Sequence, residues 1–156
     1  MDRKSNQYKR YLVISNVCKK NNIKSLVHAA VAYNFEVIIV GFSNLVELHI
    51  SSDIELIKMD SLNELHQYLQ MERIPLVGIE LMESAQSVND MEFSLSIAIM
   101  PGNEGTGLSK RQKDITDSYI YIPQYGIGTA SLNVSIATSI ILHKYNKWLS
   151  QIAIKN

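Results

Sequence analysis

The feature that most constrains the fold is a regular alternation of short apolar runs with segments of helical periodicity. The runs are rich in β-branched residues, and most of them are continuously apolar instead of alternating with polar residues. Strands of this kind are typical of a parallel sheet that is covered on both faces. The pattern therefore predicts an α/β fold. The predicted strands are YLVISNV (11–17), EVIIVG (36–41), IELIKM (54–59), IPLVGIE (74–80), LSIAIM (95–100) and SYIYIP (118–123).

Segments with helical spacing lie between these strands. The first helix is expected to begin at Asn21 or Asn22, because either residue is able to cap it. Ser61 and Glu64 have the spacing of a capping box at the start of a second helix. A short basic helix, SKRQKDI, is predicted at 109–115. A long helix with a broad apolar face is predicted from about Ser131 to the end of the chain.

The length and composition favour one domain in a reducing compartment. A chain of 156 residues is long enough to bury a sizeable core, and we expect a single domain over residues 1–156. Within it, residues 1–9 are expected to form a flexible basic arm. The apolar run that follows is too short for a signal peptide or a membrane span. Cys18 is the one cysteine, and the four histidines show no metal-ligand spacing with it. We therefore expect an intracellular protein, cytoplasmic or nuclear, without a secretion signal, metal site or membrane partner.

The charges balance in number but are separated along the chain. Residues 1–24 carry seven lysines or arginines against Asp2. Residues 47–92 carry ten acidic residues against Lys58 and Arg73. A basic segment beside an acidic one is compatible with contact with nucleic acid on one side. Charge alone leaves open the alternative of a solvated surface without such a partner.

Two loops that contain glycines follow predicted strands, which is where ligands bind in open α/β sheets. The first, GNEGTGLS (102–109), matches neither a phosphate loop nor the dinucleotide fingerprint, and Glu104 within it would repel phosphate. The second, IPQYGIGTASLN (122–133), leads into the last helix, which Thr129 or Ser131 is able to cap. Each loop alone is also compatible with a simple tight turn. Two such loops after neighbouring strands favour one shared pocket.

Three segments carry a resemblance to a known family. They are NNIKSLVHAA (21–30), IMPGNEGTGLS (99–109) and YIPQYGIGTASLNVSIA (121–137). In order and spacing they resemble the three motifs of the SpoU/TrmH branch of the SPOUT RNA methyltransferases. The likeness is greatest to small eukaryotic members and to the C-terminal domain of TAR RNA-binding protein 1. It covers about residues 10–149, which is most of the chain.

The resemblance implies a SPOUT fold, which is α/β with a mostly parallel sheet, helices on both faces and a C-terminal trefoil knot. Such a knot is an exception to the rule that chains do not thread themselves. The two glycine loops would belong to the knot and hold S-adenosyl-L-methionine in a bent form. Family members are homodimers that pack through the knot region, which favours a dimer interface on the broad apolar face of the last helix. By motif position, the cofactor contacts would be Ile79, Gly102, Ile122, Ser131 and Leu132.

The reaction that the resemblance implies is methyl transfer to a ribose 2′-hydroxyl of RNA, with tRNA favoured over rRNA as substrate. Asn22, Glu104, Ser131 and Asn133 occupy positions that the family uses to organise the pocket. The chain departs from the family at His28, where an arginine is the proposed base that activates the hydroxyl. A histidine titrates near neutrality and is able to accept a proton, so we interpret His28 as the base. A half-buried histidine without a catalytic role is the alternative.

Contact with RNA is expected from cationic side chains, which bind phosphates. One basic cluster lies near the N-terminus, and the other directly follows the first glycine loop. If His28 does not act as a base, the chain is instead an RNA-binding protein on the same scaffold with lost or reduced catalysis. Methylation of a base instead of a ribose is a third hypothesis. The basic candidates are Arg3, Lys4, Lys9, Arg10, Lys19, Lys20 and Lys24, and then Lys110, Arg111 and Lys113.

Overall fold

The computed structural model describes residues 7–42, 48–128 and 131–155, which form one sheet flanked by helices. Arg3, Lys4 and Thr129, to which the sequence assigned roles, lie outside the described residues. The strands are β1 (Arg10–Ile14), β2 (Glu36–Val40), β3 (Leu56–Met59), β4 (Leu76–Ile79), β5 (Gln86–Ser87), β6 (Ile97–Met100) and β7 (Ser118–Tyr121). The helices are α1 (Lys20–Ala32), α2 (Leu62–Glu72), α3 (Lys110–Ile115) and α4 (Val134–Lys155).

The strands lie in the order β3-β2-β1-β6-β4-β7-β5, and every neighbouring pair is parallel. The α/β class and the parallel sheet predicted from the sequence are confirmed. Strand β5 was not predicted, because Gln86 and Ser87 are polar and give no apolar run. The strand order reverses between β1 and β6, since β1 to β3 extend to one side while β4, β7 and β5 lie on the other. The crevice at the carboxyl ends of strands at such a reversal is the usual ligand site of an open α/β sheet.

The helices cover both faces of the sheet, as predicted. Successive side chains of a strand point to opposite faces, so Leu12 and Ile14 of β1 join one core cluster and Tyr11 and Val13 join another. The first cluster contains the apolar faces of α1 and α4. The second contains Leu65 and its neighbours on α2, with α3 at its margin. The sheet is therefore sandwiched, and the loops at its carboxyl edge are held between the two helical layers.

The strands are shorter than predicted because the backbone turns where they end. The first predicted strand extended to residue 17, but Asn16 has a φ of 61°, in the left-handed region. Gly41 has a φ of 70° and closes β2 in the same way. These conformations are unfavourable for an extended strand. The turn at Asn16 leads the chain into the segment before α1.

Two helix starts differ from the prediction. α1 begins at Lys20, so neither Asn21 nor Asn22 is its cap, and the cap residue Lys19 makes no side-chain hydrogen bond to the helix. α4 begins at Val134, and the role of cap that we assigned to Ser131 belongs to Asn133. The Oδ1 atom of Asn133 accepts a hydrogen bond from the backbone N–H of Ser135 at 2.9 Å. Ser61 caps α2 as predicted, but the Glu64 carboxylate accepts a hydrogen bond from the backbone N–H of Asp60 instead of completing the capping box at Ser61. Ser109, predicted as the first residue of the short basic helix, is the cap of α3.

The segment before β1 is part of the sheet structure from residue 9 onward. The backbone N–H of Lys9 donates to Ser96, its carbonyl accepts from Ile97, and its side chain forms an ion pair with Glu72. The predicted flexible arm therefore cannot include Lys9. Arg10 is only 9% exposed. The prediction that Arg10 contacts RNA is wrong, because burial in β1 removes its side chain from solvent.

The apolar face of α4 packs only in part on the sheet. Ile141 and Tyr145 are fully buried against the core, as the helical spacing predicted, and so is Leu142. Ile136 remains 53% exposed near the start of the helix. No helix of the described residues combines the length and apolar character needed to cross a membrane. The C-terminal trefoil knot stays a prediction.

Candidate functional site

A cavity of about 490 Å³ lies at the carboxyl ends of β4 and β6 and beside the start of α1, next to the reversal of strand order. We call it the central cavity. The fold brings together here residues that are as far apart in sequence as Asn22 and Asn133. Most of the predicted catalytic and cofactor residues line it, namely Asn22, Ile79, Gly102, Glu104, Ser131, Leu132 and Asn133, together with the RNA candidate Lys19.

Glu104 joins the first glycine loop to the start of α1. Its carboxylate accepts hydrogen bonds from the backbone N–H groups of Cys18 at 3.0 Å and Lys19 at 2.7 Å. It also accepts one from Nδ2 of Asn22 at 3.1 Å. The first N–H groups of a helix lack partners within the helix, and a carboxylate nearby is favoured by the helix dipole. Glu104 thus stabilises the helix start that lacks a cap of its own.

These hydrogen bonds keep the Glu104 carboxyl group ionised. Burial acts to raise the pKa of this carboxyl group, but the N–H groups of Cys18, Glu104 itself and Lys19, with the Asn22 amide, lower it. Together the hydrogen bonds outweigh burial, and the pKa falls from its ordinary value of 4.5 to about 2. Glu104 is therefore an anion at neutral pH whose oxygens are already hydrogen-bonded. Such a group positions its neighbours and is a poor proton acceptor.

Asn22 extends this contact to the start of α4. Its Oδ1 atom accepts a hydrogen bond from Nδ2 of Asn133 at 3.1 Å, while its own amide donates to Glu104. Asn133 in turn caps α4 through its Oδ1 atom. We call this set the Glu104–Asn22–Asn133 network. It fixes the first glycine loop and the starts of α1 and α4 relative to one another around the central cavity. Asn133 is exposed, as the solvent-facing alternative expected, but its side chain is also held by its hydrogen bond to Asn22.

The first glycine loop keeps its shape through contacts within itself. Asn103 and Gly107 exchange two backbone hydrogen bonds of 3.0 Å. A Cβ atom on Gly102 would lie 2.6 Å from the carbonyl carbon of Gly107. The glycine at position 102 is therefore required by the close approach of the two sides of the loop, in addition to its place on the cavity wall.

Glu80 is a residue of the central cavity that sequence reasoning missed. Its carboxylate accepts a hydrogen bond from the backbone N–H of Leu108 at 3.0 Å, at the end of the first glycine loop. Its own backbone N–H donates to the carbonyl of Ile120 in β7 at 3.1 Å. Glu80 thus ties the first glycine loop to the strand that leads into the second. A carboxylate directly after a buried strand, next to the predicted Ile79, was the available signal.

Replacing Gly107 by alanine is expected to destabilise the protein. The φ of Gly107 is 70°, and an added Cβ atom would lie 2.7 Å from the Glu80 carboxylate. The left-handed conformation alone costs an L-residue about 1–2 kcal/mol. Urea denaturation of Gly107→Ala should show a loss of at least that size. Gly105→Ala is the matched control, because the nearest atom to its added Cβ lies 3.6 Å away. Equal stability of the two variants would contradict this role.

A second cavity of about 550 Å³ lies beside the central cavity, after β7. It is lined by the second glycine loop, including the predicted cofactor residue Ile122, and it shares Ser131 with the central cavity. Among the residues that the structure describes, none lies within 4 Å of a Cβ atom built on Gly126 or Gly128. Gly128 has a φ of 123°, which favours glycine there for conformational reasons. The two cavities together offer room for one elongated small molecule.

His28 does not line either cavity. It lies on α1, six residues beyond Asn22, which corresponds to about 9 Å along the helix axis. Its side chain is exposed, so the alternative of a half-buried structural histidine is wrong. Any contact between His28 and a reacting group would have to form at the surface of α1.

The predicted basic clusters lie on opposite faces of the sheet. Lys20 and Lys24 belong to α1, whereas Lys110, Arg111 and Lys113 belong to α3, where all three are exposed. Lys110 also forms an ion pair with Asp114 at 3.2 Å. Since the first glycine loop runs between α1 and α3, the two clusters flank the central cavity. In the described ranges, no group of three or more His, Cys, Asp or Glu side chains is placed to hold a metal ion.

Known proteins share both the sequence motifs and the fold. The chain matches the SpoU rRNA Methylase family over residues 9–143. It is 27% identical over 145 residues to the 23S rRNA (guanosine-2'-O-)-methyltransferase RlmB of Coxiella burnetii, covering 87% of this chain and 57% of that protein. It spans less than two thirds of the length of the first curated relatives that it matches.

Solved structures show the same architecture. The TrmH/SpoU tRNA modifying enzyme of A. aeolicus superposes with a TM-score of 0.79 at 21% identity, covering 94% of this chain and 78% of that one. The SpoU methyltransferase AviRb of Streptomyces viridochromogenes, in complex with AdoMet, gives 0.75 at 24% identity, covering 87% and 56%. The predicted SPOUT methyltransferase fold is thereby confirmed. The family match runs from before β1 into α4 and includes both glycine loops and the Glu104–Asn22–Asn133 network. The chain belongs to the SpoU rRNA methylase family.

Proposed function

We propose that this chain transfers the methyl group of S-adenosyl-L-methionine to a ribose 2′-hydroxyl of RNA inside the cell. The observation that carries the proposal is the Glu104–Asn22–Asn133 network, which fixes three elements around a cavity at the reversal of strand order. Family membership supports this class of reaction. Relatives are named for both rRNA and tRNA substrates. We favour tRNA, and the product analysis described below tests that preference.

The residues present suit a cationic, elongated cofactor. Two carboxylates, Glu80 and Glu104, line the central cavity, and carboxylates attract a sulfonium but repel a phosphate. Both cavities fall within the roughly 300–1,000 Å³ range of small-molecule sites. When bound, S-adenosyl-L-methionine supplies a methyl group that is already activated. The residues that would hold it are Ile79, Gly102, Ile122, Ser131 and Leu132.

The protein's task is then to align the acceptor hydroxyl and to remove its proton. Asn22, Glu104 and Asn133 serve the alignment, because their hydrogen bonds fix the walls of the cavity. Glu104 is not the base, since its pKa is about 2. We assign the role of base to His28, which is exposed to approaching RNA. Phosphates of the RNA would bind the basic side chains on both sides of the cavity: Lys19, Lys20 and Lys24, then Lys110, Arg111 and Lys113.

We further propose that the chain acts as a homodimer through its C-terminal region. Leu132 and Ile136 are 37% and 53% exposed beside the central cavity, at the start of α4. A second copy that covers them would remove apolar surface from water and bring further residues to the exposed face of α1. Light scattering of the purified protein tests this, and Ile136→Glu is expected to yield a monomer.

Incubation with methyl-labelled S-adenosyl-L-methionine and total cellular RNA tests the reaction. The expected result is label in RNA, recovered after digestion as a 2′-O-methylnucleoside, with separation of tRNA from rRNA to identify the substrate. Calorimetric titration with the cofactor alone tests binding separately. Binding of cofactor and RNA without any incorporation would overturn the enzymatic proposal. That outcome would favour an RNA-binding protein that has lost catalysis, the hypothesis supported by the position of His28 outside both cavities.

Replacing His28 by alanine is expected to lower kcat by at least about 100-fold, the lower end of a general-base contribution. The cofactor affinity should not change, because His28 does not line either cavity. His28→Arg is expected to restore part of the rate, since the family places an arginine there. His66→Ala on α2 is the control, because that helix covers the other face of the sheet. A His28→Ala variant with the full rate would show that His28 is not the base.

A further inference from the structure

A third cavity lies at the end of α4 that is far from the central cavity. Its volume is about 260 Å³, and it is formed by the last turns of α4 and the connection between β5 and β6. We call it the α4 cleft. Lys147 stands about 20 Å along the helix from Asn133, at 1.5 Å per residue. The sequence predicted a dimer interface on the broad apolar face of α4, but it predicted no ligand site at this end of the helix. The lining residues are Val88, Asn89, Met91, Phe93, Lys144, Lys147, Trp148 and Gln151.

One wall of the α4 cleft is aromatic, and side chains of the core pack against its inner side. Phe93 and Val88 are buried in the core. The ring of Trp148 lies edge-on to Phe93 with centroids 5.8 Å apart, and it is also 5.8 Å from Tyr145. Trp148 itself remains partly exposed. The cleft therefore presents a fixed aromatic side chain to solvent, and such a side chain is able to stack with a nucleobase.

The rim of the α4 cleft is cationic and polar. Lys144 and Lys147 are three residues apart on α4 and so lie on the same side of the helix. Asp90 and Glu92 are on the adjacent connection, yet no ion pair joins either of them to these lysines within the described ranges. Asn89 and Gln151 add amides that can donate to and accept from the edge of a base. Lysines for phosphate beside an aromatic wall form the combination that binds single-stranded nucleic acid.

We propose that the α4 cleft binds one unpaired nucleotide of the RNA substrate, away from the nucleotide that is methylated. This inference rests on the proposed function, which supplies RNA as the ligand class. The cleft is smaller than the roughly 300 Å³ lower bound of a drug-sized site, so it suits a single base. At about 3.4 Å per stacked nucleotide, about six nucleotides span the 20 Å to the central cavity. The cleft would therefore select RNAs that place an unpaired nucleotide at that distance.

Trp148 is the only tryptophan of the chain, so its fluorescence reports on this cleft alone. The experiment titrates the full chain with fluorescein-labelled oligoadenylate RNA for anisotropy and with the unlabelled RNA for tryptophan emission. The expected result is quenching of Trp148 that saturates with the same dissociation constant as the anisotropy. The double variant Lys144→Ala/Lys147→Ala should bind about tenfold more weakly at low salt. The slope of log affinity against log salt should fall by about 1.4, or about 0.7 for each lost phosphate contact.

Two controls keep the test specific. Lys155→Ala removes a charge from the same end of α4 but outside the cleft, and it should leave the quenching curve unchanged. Lys110→Ala/Arg111→Ala should weaken RNA binding but retain the full quenching at saturation. Saturated anisotropy with unchanged Trp148 emission would overturn the proposal. So would a change of Trp148 emission on dilution of the protein alone, which would identify the cleft as a contact between protein copies.

The outcome of this experiment can be distinguished from the outcome of the methylation test of the proposed function. If RNA is methylated while Trp148 does not respond to it, the α4 cleft is not an RNA site and the enzymatic function stands. If Trp148 is quenched by RNA but no methyl group is incorporated, the cleft proposal stands and the enzymatic function fails.

Discussion

Replacing Glu104 by alanine is expected to reduce methyl transfer by about 100-fold, because misplacement of reacting groups by about 1 Å has an effect of that order. The change removes the acceptor of three hydrogen bonds, from Cys18, Lys19 and Asn22, and so detaches the first glycine loop from the start of α1. Initial rates at saturating cofactor and RNA measure the loss. Cofactor affinity, measured by calorimetry, should also fall, since the loop forms a wall of the central cavity.

Glu104→Gln is expected to recover little of this loss. A glutamine side chain offers one acceptor oxygen, and its amide N–H groups would face the backbone N–H of Cys18 or Lys19 as a second donor. Glu83→Gln is the matched control, because Glu83 is exposed in the loop after β4. If Glu104→Gln keeps the activity of the wild type, the carboxylate charge and its hydrogen bonds do not organise the site.

The same residue is expected to make the stability of the protein depend on pH in acid. The folded-state pKa of about 2 is below the ordinary value of 4.5. The stabilisation from ionised Glu104 is thus fully present above about pH 4.5 and is lost as the pH falls towards 2. Urea denaturation between these pH values should show a smaller decline for Glu104→Gln than for the wild type. Parallel declines would contradict the lowered pKa.

Replacing Tyr145 by alanine is expected to lower the free energy of unfolding by about 3–5 kcal/mol, the range for a large buried aromatic residue. Tyr145 is fully buried, and its ring makes edge contacts with Phe35 and Phe93. Its hydroxyl donates a hydrogen bond to the carbonyl of Leu95, just before β6. The side chain therefore anchors α4 to the sheet, and its loss leaves both a cavity and an unpaired carbonyl. Urea denaturation measures the change.

Two variants separate these contributions. Tyr145→Phe keeps the ring and removes only the hydroxyl, so the expected loss is about 0.5–1.5 kcal/mol. Tyr125→Ala removes a tyrosine that is 89% exposed in the second glycine loop, and its effect should stay within about 0.5 kcal/mol. Comparable losses for Tyr145→Ala and Tyr125→Ala would show that the aromatic contacts of α4 do not stabilise the fold.

Much of the site was visible in the sequence, because the relevant side chains follow strands that are themselves strongly marked. Ile79, Gly102, Glu104 and Asn133 were all singled out, and all line the central cavity. The start of α1 was predicted incorrectly, because local rules favour a capping side chain close in sequence. The stabilising carboxylate comes instead from Glu104, more than 80 positions along the chain. Glu80 was missed for a related reason, since its partner Leu108 is 28 positions away.

The sequence by itself determined the α/β class, the parallel character of the sheet, the approximate strands and the family. These properties depend on local apolar periodicity and on motifs that are contiguous in the chain. Only the tertiary structure decided which polar groups meet. It placed Glu104 against the start of α1, joined Asn22 to Asn133, left His28 on the outer surface of α1 and formed the α4 cleft. The physical reason is that hydrogen bonds and cavities between distant segments depend on the order of the strands and the packing of the helices. A linear pattern of residues does not contain that information.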